Sequence, residues 1–226
     1  MENEFREYKI FIFTGHFGSG KTEVAVNFAL GLNEYAKNVD IVDLDIVNPF
    51  FRTVDFRNSL VEENINVISS QFAGSNIEIP AVPPKLPMVL NNPDSKTIVD
   101  VGGDDAGARI LNGYKEYIVI QKYRMYCVIN IRRPETNSVE NIINMIKQIE
   151  SSSGINVSAL VNNTNLSNET RVQDIIEGQD IIEEVSRELD IPIVFICADQ
   201  RILEQIPDFI KTDRLVHRLK IVHPWE

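Results

Sequence analysis

A chain of 226 residues with 43% hydrophobic content can bury a sizeable core, and one domain over 1–226 is the expectation. Its 33 acidic against 22 basic side chains, a formal net charge of −11, argue against a broad basic surface for duplex DNA or anionic lipid and leave room only for local basic patches. No stretch approaches the ~18 uninterrupted apolar residues of a membrane span, and the acidic N-terminus lacks the regions of a signal peptide, so a cytoplasmic protein is expected.

The first few residues read as disordered, and Tyr8 to Phe13 as a strand. The strand runs into Gly15-His16-Phe17-Gly18-Ser19-Gly20-Lys21-Thr22, which satisfies the phosphate-loop spacing of Gly, four residues, Gly-Lys-Thr. Glycines without a Cβ let the backbone turn successive N–H groups toward a polyphosphate. Lys21 is placed to reach the terminal phosphates and Thr22 to offer its hydroxyl to Mg²⁺, while the helix starting near Gly20 adds its positive end. Val24, Ala25, Phe28, Ala29 and Leu32 recur at the spacing of that helix. A Gly-rich turn with an exposed lysine is the bland alternative.

Asn38 to Leu44 reads as a second strand, delivering Asp43-Leu44-Asp45 to the rim where open α/β sheets bind ligands. Either carboxylate can orient water or hold a metal; equally, both can cap the turn begun by Asn48-Pro49. Asn66 to Ser69 is a candidate short strand. From Phe72 to Lys96, Pro80, Pro83, Pro84, Pro87 and Pro93 mark a loop-rich excursion (72–96) that covers a ligand, meets a partner or simply crosses the surface. Thr97 to Val101 forms a third strand and brings Asp100 to the same rim as a second handle for Mg²⁺. Gly103, in Asp-x-x-Gly, lets its N–H approach a terminal phosphate. Asp104 and Asp105 read as caps of the helix carrying Ala106, Ala108, Ile110 and Leu111.

Tyr126 to Ile131 is a fourth strand, followed by Arg132 and Arg133, either solvated or in contact with phosphate or a partner, and by a helix using Val139, Ile142, Ile143, Ile146 and Ile149. Asn156 to Val161 is a fifth strand ending in Asn162-Asn163-Thr164-Asn165. A guanine reader supplies an aspartate in Asn-Lys-x-Asp; here Asn163 and Asn165 replace Lys and Asp, which favours ATP over GTP unless the loop is an ordinary Asn-rich turn. Asn168 to Leu189 reads as a helix interrupted at Gly178, Ile191 to Ala198 as a sixth strand, and Arg201 to Leu219 as one or two closing helices. Lys211, Arg214, His217, Arg218 and Lys220 give that last segment a basic amphipathic look, docked on the sheet or lying on a surface. Cys127 and Cys197 sit in apolar runs and read as buried thiols.

In this order of parts the chain resembles the SIMIBI class of phosphate-loop NTPases, and more narrowly the CobQ/CobB/MinD/ParA-type ATP-binding proteins. The resemblance implies an α/β fold of three layers around a mostly parallel sheet, ATP and Mg²⁺ as ligands, slow hydrolysis, and often a nucleotide-sandwich homodimer. By resemblance, Asp45 positions the attacking water or a Mg²⁺ ligand and Asp100 supports Mg²⁺. The deviant phosphate-loop group carries a lysine directly after the first glycine, where His16 stands here. The function expected is a Mg²⁺-dependent ATPase whose conformational change is read by a protein partner. Two alternatives stay open: a phosphotransferase or ligase of a small metabolite, with Arg52 or Arg109 at its acceptor pocket, and a nucleotide-holding adaptor.

Overall fold

In the computed structural model the described residues are 1–45, 53–69, 85–103 and 105–219. Strands form at Ile10–Thr14 (β1), Val39–Leu44 (β2), Ile65–Ile68 (β3), Lys96–Val101 (β4), Tyr123–Ile129 (β5), Ala159–Asn162 (β6), Ile193–Ala198 (β7) and Asp213–Val216 (β8). They join one sheet in the order β3-β2-β4-β1-β5-β6-β7-β8, and every pairing is parallel. A parallel strand covered on both faces needs apolar residues on both, so the central strands are unbroken apolar runs such as Ile10-Phe11-Ile12-Phe13.

Successive side chains feed two cores. Phe11 and Phe13 point into one, with Ile41, Ile98 and Tyr126; Ile10 and Ile12 point into the other, with Val42, Val99 and Met125. The first core is closed by helices α1 (Glu2–Glu7), α2 (Lys21–Asn33) and α3 (Arg57–Glu62) through Phe5, Phe28, Leu32 and Leu60. The second is closed by α4 (Leu86–Leu90), α5 (Asp105–Gly113), α6 (Lys115–Val119), α7 (Val139–Ser153) and α8 (Val172–Leu189), through residues such as Leu90, Leu111, Ile118, Ile146 and Ile182. The result is the three-layer α/β/α arrangement expected from the sequence. Phe28 anchors α2, its ring 5.0 Å from those of Phe5, Phe11 and Phe13.

β1 lies where the strand order turns back: the chain leaves it for β2 and β3, returns to β4 beside it, then crosses to β5 on its other flank. In open α/β sheets the crevice for a ligand opens at such a reversal, beyond the C-terminal strand ends.

Several sequence expectations need correction. The first residues are not disordered but form α1, because Phe5 is buried against Phe28 and Tyr35. Arg201 to Leu219 does not form closing helices. A short helix, α9 (Gln200–Leu203), gives way before Pro207 to the edge strand β8, where Leu215 enters the core and Arg214 donates to the carbonyls of Leu203 and Ile206. Gly178 does not interrupt α8; a Cβ there would sit 2.2 Å from Thr164 Oγ1, so its smallness lets the helix seat on the loop after β6. Within the Pro-rich excursion, residues 85–96 carry α4, and residues 72–84 lie outside the described residues, as do Asn48-Pro49, Arg52 and Asp104.

Asn27, buried in the middle of α2, takes N–H bonds from Arg218 (2.6 Å) and Leu219 (2.9 Å) on its Oδ1 and donates Nδ2 to the Leu219 carbonyl at 2.7 Å. It thereby fastens the segment after β8. Asn27→Ala strands these groups and is expected to cost about 1–3 kcal/mol in urea unfolding; an unchanged midpoint would show that the clasp carries no stability.

Candidate functional site

The phosphate-loop sequence becomes a turn held from several sides. Gly18 (φ 76°) and Gly20 (φ 82°) adopt left-handed backbone that side chains avoid, and Gly20 is the residue from which α2 starts. A Cβ on Gly15 would lie 2.3 Å from the Val128 carbonyl oxygen, and one on Gly20 2.3 Å from Asn163 Nδ2. The turn closes with Ser19 N–H donating to the His16 carbonyl at 3.0 Å. Asn163 Nδ2 donates to the Ser19 carbonyl at 2.7 Å and Arg133 Nε to the Gly18 carbonyl at 2.9 Å, so two side chains from neighbouring loops fasten it. The first N–H groups of α2, those of Lys21 and Thr22 among them, have no partner within the helix and add its positive end. His16 approaches the Phe17 carbonyl at 3.1 Å and the Glu135 carboxylate at 3.9 Å; Phe17 is exposed.

Beneath the loop lies a buried cluster of charge. Lys21 and Thr22 open α2 and are only 5% and 4% exposed. Asp43 on β2 is in register with Asp100 on β4, and Asp45 follows β2, so two adjacent strands deliver three buried carboxylates to the ammonium. Lys21 Nζ donates to Asp45 Oδ2 at 2.8 Å. Burial alone pulls the pKa of Lys21 down; Asp100, Asp45 and Asp43 outweigh it and raise it above the ordinary lysine value, so the ammonium stays charged. Asp100 is fully buried, which pushes its carboxyl up to about 6 despite the opposing pull of Lys21 and the hydroxyls of Thr22 and Thr53, with Asp45 adding to the rise. Thr53 Oγ1 donates to Asp100 Oδ2 at 3.1 Å, while Asp100 Oδ1 has no hydrogen-bond partner among the described residues.

That orphaned carboxylate oxygen tests the fit of Mg²⁺. Thr22, Asp45 and Asp100 form an all-oxygen donor set of the kind a hard cation takes. Among the described residues no three His, Cys, Asp or Glu are grouped to hold a metal unaided. Mg²⁺ bound through one or two carboxylates together with phosphate oxygens does not need such a group, so the residues fit an ion that arrives with a nucleotide. Gly103, after β4, packs so closely on the loop that a Cβ would stand 1.8 Å from the Gly15 carbonyl oxygen.

Asn162 and Asn163, expected to contact the nucleotide, and Asn165, in the position of the guanine-reading aspartate, all have protein partners, Asn165 Nδ2 donating to the Asn163 carbonyl at 2.7 Å. Asn162 Nδ2 donates to the Ile175 carbonyl at 3.0 Å and its Oδ1 accepts from Thr164 N–H at 3.1 Å, so this buried amide ties β6 to α8 instead of turning to the loop. Asn163 reaches the loop, but through the Ser19 carbonyl. Arg132 pairs with Asp174 at 2.6 Å and Glu177 at 2.5 Å, and only Arg133 goes to the phosphate loop. Thr53 is a contact that the sequence does not single out, since it follows a stretch without periodicity; of the two adjacent arginines, left open between solvent, phosphate and a partner, it is Arg133 that meets the loop. Cys127 and Cys197 are free and fully buried, and burial pushes the Cys127 thiol up to about 12, which removes it as a nucleophile at neutral pH.

No family model matches the sequence, and no curated protein matches it. Solved structures do. The cell division protein FtsY of Thermotoga maritima superimposes with a TM-score of 0.56 at 17% identity, covering 83% of this chain and 60% of that one. The signal recognition particle receptor FtsY of Elizabethkingia anophelis in complex with GDP gives 0.53 at 15% identity over 84% of this chain and 57% of that one. The 54 kDa signal recognition particle protein of Aeropyrum pernix in complex with GDP gives 0.53 at 14%, over 84% and 41%. The chain thus spans between 41% and 60% of the length of these proteins. The likeness is one of fold, the α/β fold of phosphate-loop NTPases. Among the described residues no helix is long and apolar enough to cross a membrane.

Proposed function

We propose that this chain is a Mg²⁺-dependent nucleoside triphosphatase of the cytoplasm, acting as one nucleotide-binding domain and turning over slowly so that a protein partner reads its state. The observation that carries the proposal is the buried Lys21 ammonium at the start of α2, held at 2.8 Å by Asp45 under a glycine turn. Nothing in a structural role requires three buried carboxylates around one lysine; a site that must exchange one anion for another does. When a triphosphate enters, Lys21 gives up Asp45 for phosphate oxygens and the loop amides from Gly15 to Thr22 take the remaining charge. Thr22 and Asp100 would hold Mg²⁺, which supplies neutralisation of the phosphate oxygens. Asp45, released from Lys21, then orients the attacking water. Gly103 lies against the loop where its backbone can follow the terminal phosphate.

ATP is the nucleotide we assign, supported by the absence of the Lys and Asp of a guanine-reading loop at Asn163 and Asn165. Two of the similar solved proteins hold GDP, which makes GTP the competitor to test. The narrower likeness to CobQ/CobB/MinD/ParA proteins rests on the order of motifs, with His16 in place of their second lysine, and a homodimer closing over the nucleotide is part of the same reading. A cleft of about 750 Å³ at the same rim, between the loop before α8 and α9 and lined by Arg171 and Arg201, favours a second reading as transfer to a small acceptor.

Calorimetric titration with ATP and GTP, with and without Mg²⁺, tests the assignment. Tighter binding of ATP than GTP, strengthened by Mg²⁺, is expected, and Thr22→Ala should remove on the order of tenfold or more of the Mg²⁺-dependent part. Binding of neither nucleotide would end the proposal; a preference for GTP would end only its base assignment. Phosphate release that required an added metabolite would move the function to the second reading.

A further inference from the structure

The opposite end of the sheet carries a concentration of positive charge that the nucleotide site does not use. A cleft of about 520 Å³ opens beneath the strand starts, framed by Lys9 before β1, Lys37 before β2, Lys96 at the first position of β4 and Lys122 before β5. Arg6 joins them, so the cleft gathers five of the chain's 22 Lys and Arg but, in Glu7 and Asp94, only two of its 33 Asp and Glu. In a molecule of net charge −11 the local balance is reversed.

Lys9 and Lys96 are half-buried and Lys37 and Lys122 exposed, and all four differ from several other cations of the chain in what they touch. Lys21, Arg124, Arg132 and Arg218 each have a carboxylate partner. Among the described residues Lys9, Lys37, Lys96 and Lys122 have none; Lys9 donates to Gln121 Oε1 at 3.3 Å and Lys96 to the carbonyls of Tyr8 at 2.5 Å and Arg6 at 3.3 Å. Partial burial lowers the pKa of both Lys9 and Lys96, the response of ammonium groups that lack an anion. The frame is rigid: Lys9 N–H donates to the Lys122 carbonyl at 2.7 Å, Lys96 N–H to the Asn38 carbonyl at 3.0 Å and Thr97 N–H to the Lys9 carbonyl at 2.9 Å, so backbone bonds lock the four strand starts together. Within the same lining, Ser95 is 5% exposed and its hydroxyl has no partner among the described residues, an arrangement proteins avoid unless something else completes it.

We propose that this cleft is a second ligand site, which takes a small molecule carrying two or more phosphate charges. Clustered lysines present compact point charges suited to phosphate, whereas carboxylates are more often met by the planar fork of arginine. The volume is that of a metabolite-sized pocket. The acidic remainder of the surface disfavours an extended polyanion such as duplex nucleic acid. β1 and β4 run from this cleft to the phosphate loop and to Asp100, so an anion here sits at the far end of the same two strands.

The test is site-resolved. The full ¹⁵N-labelled chain is titrated at low ionic strength with inorganic pyrophosphate, and amide shifts are followed at residues 37, 95, 96 and 122 and, separately, at residues 15–22. Saturable shifts at the strand starts are expected, with the Kd there rising at least tenfold in Lys37→Ala/Lys122→Ala while the response of residues 15–22 is unchanged. Both lysines lie at the surface, so the variant keeps its fold, and the result at the cleft does not depend on whether the phosphate loop binds nucleotide. Absence of saturable shifts, or equal affinity in the double variant, would overturn the site. Citrate binding as tightly at matched ionic strength would overturn its assignment to phosphate.

Discussion

Lys21→Met is expected to abolish nucleotide binding and to weaken the fold at the same time. The affinity loss, on the order of 100-fold or more, follows from removing the one buried ammonium aimed at the phosphates. The stability loss follows from what stays behind: Asp43, Asp45 and Asp100, all buried, lose the ammonium that Lys21 places among them. Breaking a buried pair by deleting one partner costs about 3–5 kcal/mol. The loss should depend on pH in a defined direction. In the wild type the Lys21 pKa is raised, so its contribution is complete below the ordinary lysine pKa and fades only as pH climbs through the folded value. In the variant the crowded carboxylates recover stability by taking up protons, so the deficit should be larger at pH 8 than at pH 5. Urea unfolding at both values, with calorimetry at pH 7.5, measures both effects. Wild-type affinity in this variant would remove the nucleotide assignment, and a deficit independent of pH would contradict the charge cluster.

Asp100→Asn is expected to do the opposite to stability while also losing function. The folded carboxyl titrates at about 6 against an ordinary 3.8, chiefly because it is fully buried. Between these values the folded chain holds a proton that the unfolded chain has released, so this group makes ligand-free stability fall as pH rises from about 4 to about 6, by an amount on the order of 3 kcal/mol. The amide keeps the shape and the bonds to Thr22 and Thr53 without carrying that penalty. The variant should therefore unfold at equal or higher urea concentration than the wild type at pH 7 and lose the slope across that interval. Mg²⁺ should no longer strengthen its nucleotide binding. A variant less stable than the wild type at pH 7, or one whose affinity still rises with Mg²⁺, would show that Asp100 is a structural partner of Lys21 and no more.

Much of this is legible in the sequence, and the reason is chemical. A turn that must offer backbone to an anion tolerates only glycine at positions such as 18 and 20, so its residue types are visible in sequence. Strands covered on both faces announce themselves as apolar runs, and Asp45 and Asp100 stand out at their ends. The places that misled are those where neighbours decide. Asn162 and Asn163 are the same residue type one position apart; the register of β6 turns the first into α8 and the second onto the phosphate loop. Arg132 and Arg133 divide in the same way between α8 and Gly18. The segment 201–219 shows cations at helical spacing, yet it pairs its backbone with β7, because an edge strand that buries essentially Leu215 alone has too short a pattern to read.

The meeting of Gly103 with Gly15 has a mechanical corollary. Two main chains in direct abutment have no rotamer between them to soak up a displacement, and interiors packed this tightly pass strain along instead of dissipating it. Any shift of the segment after β4 must therefore displace the turn after β1, or be refused by it. The pair behaves as a hinge pin with no slack, and a partner that grips one of these loops holds the other as well.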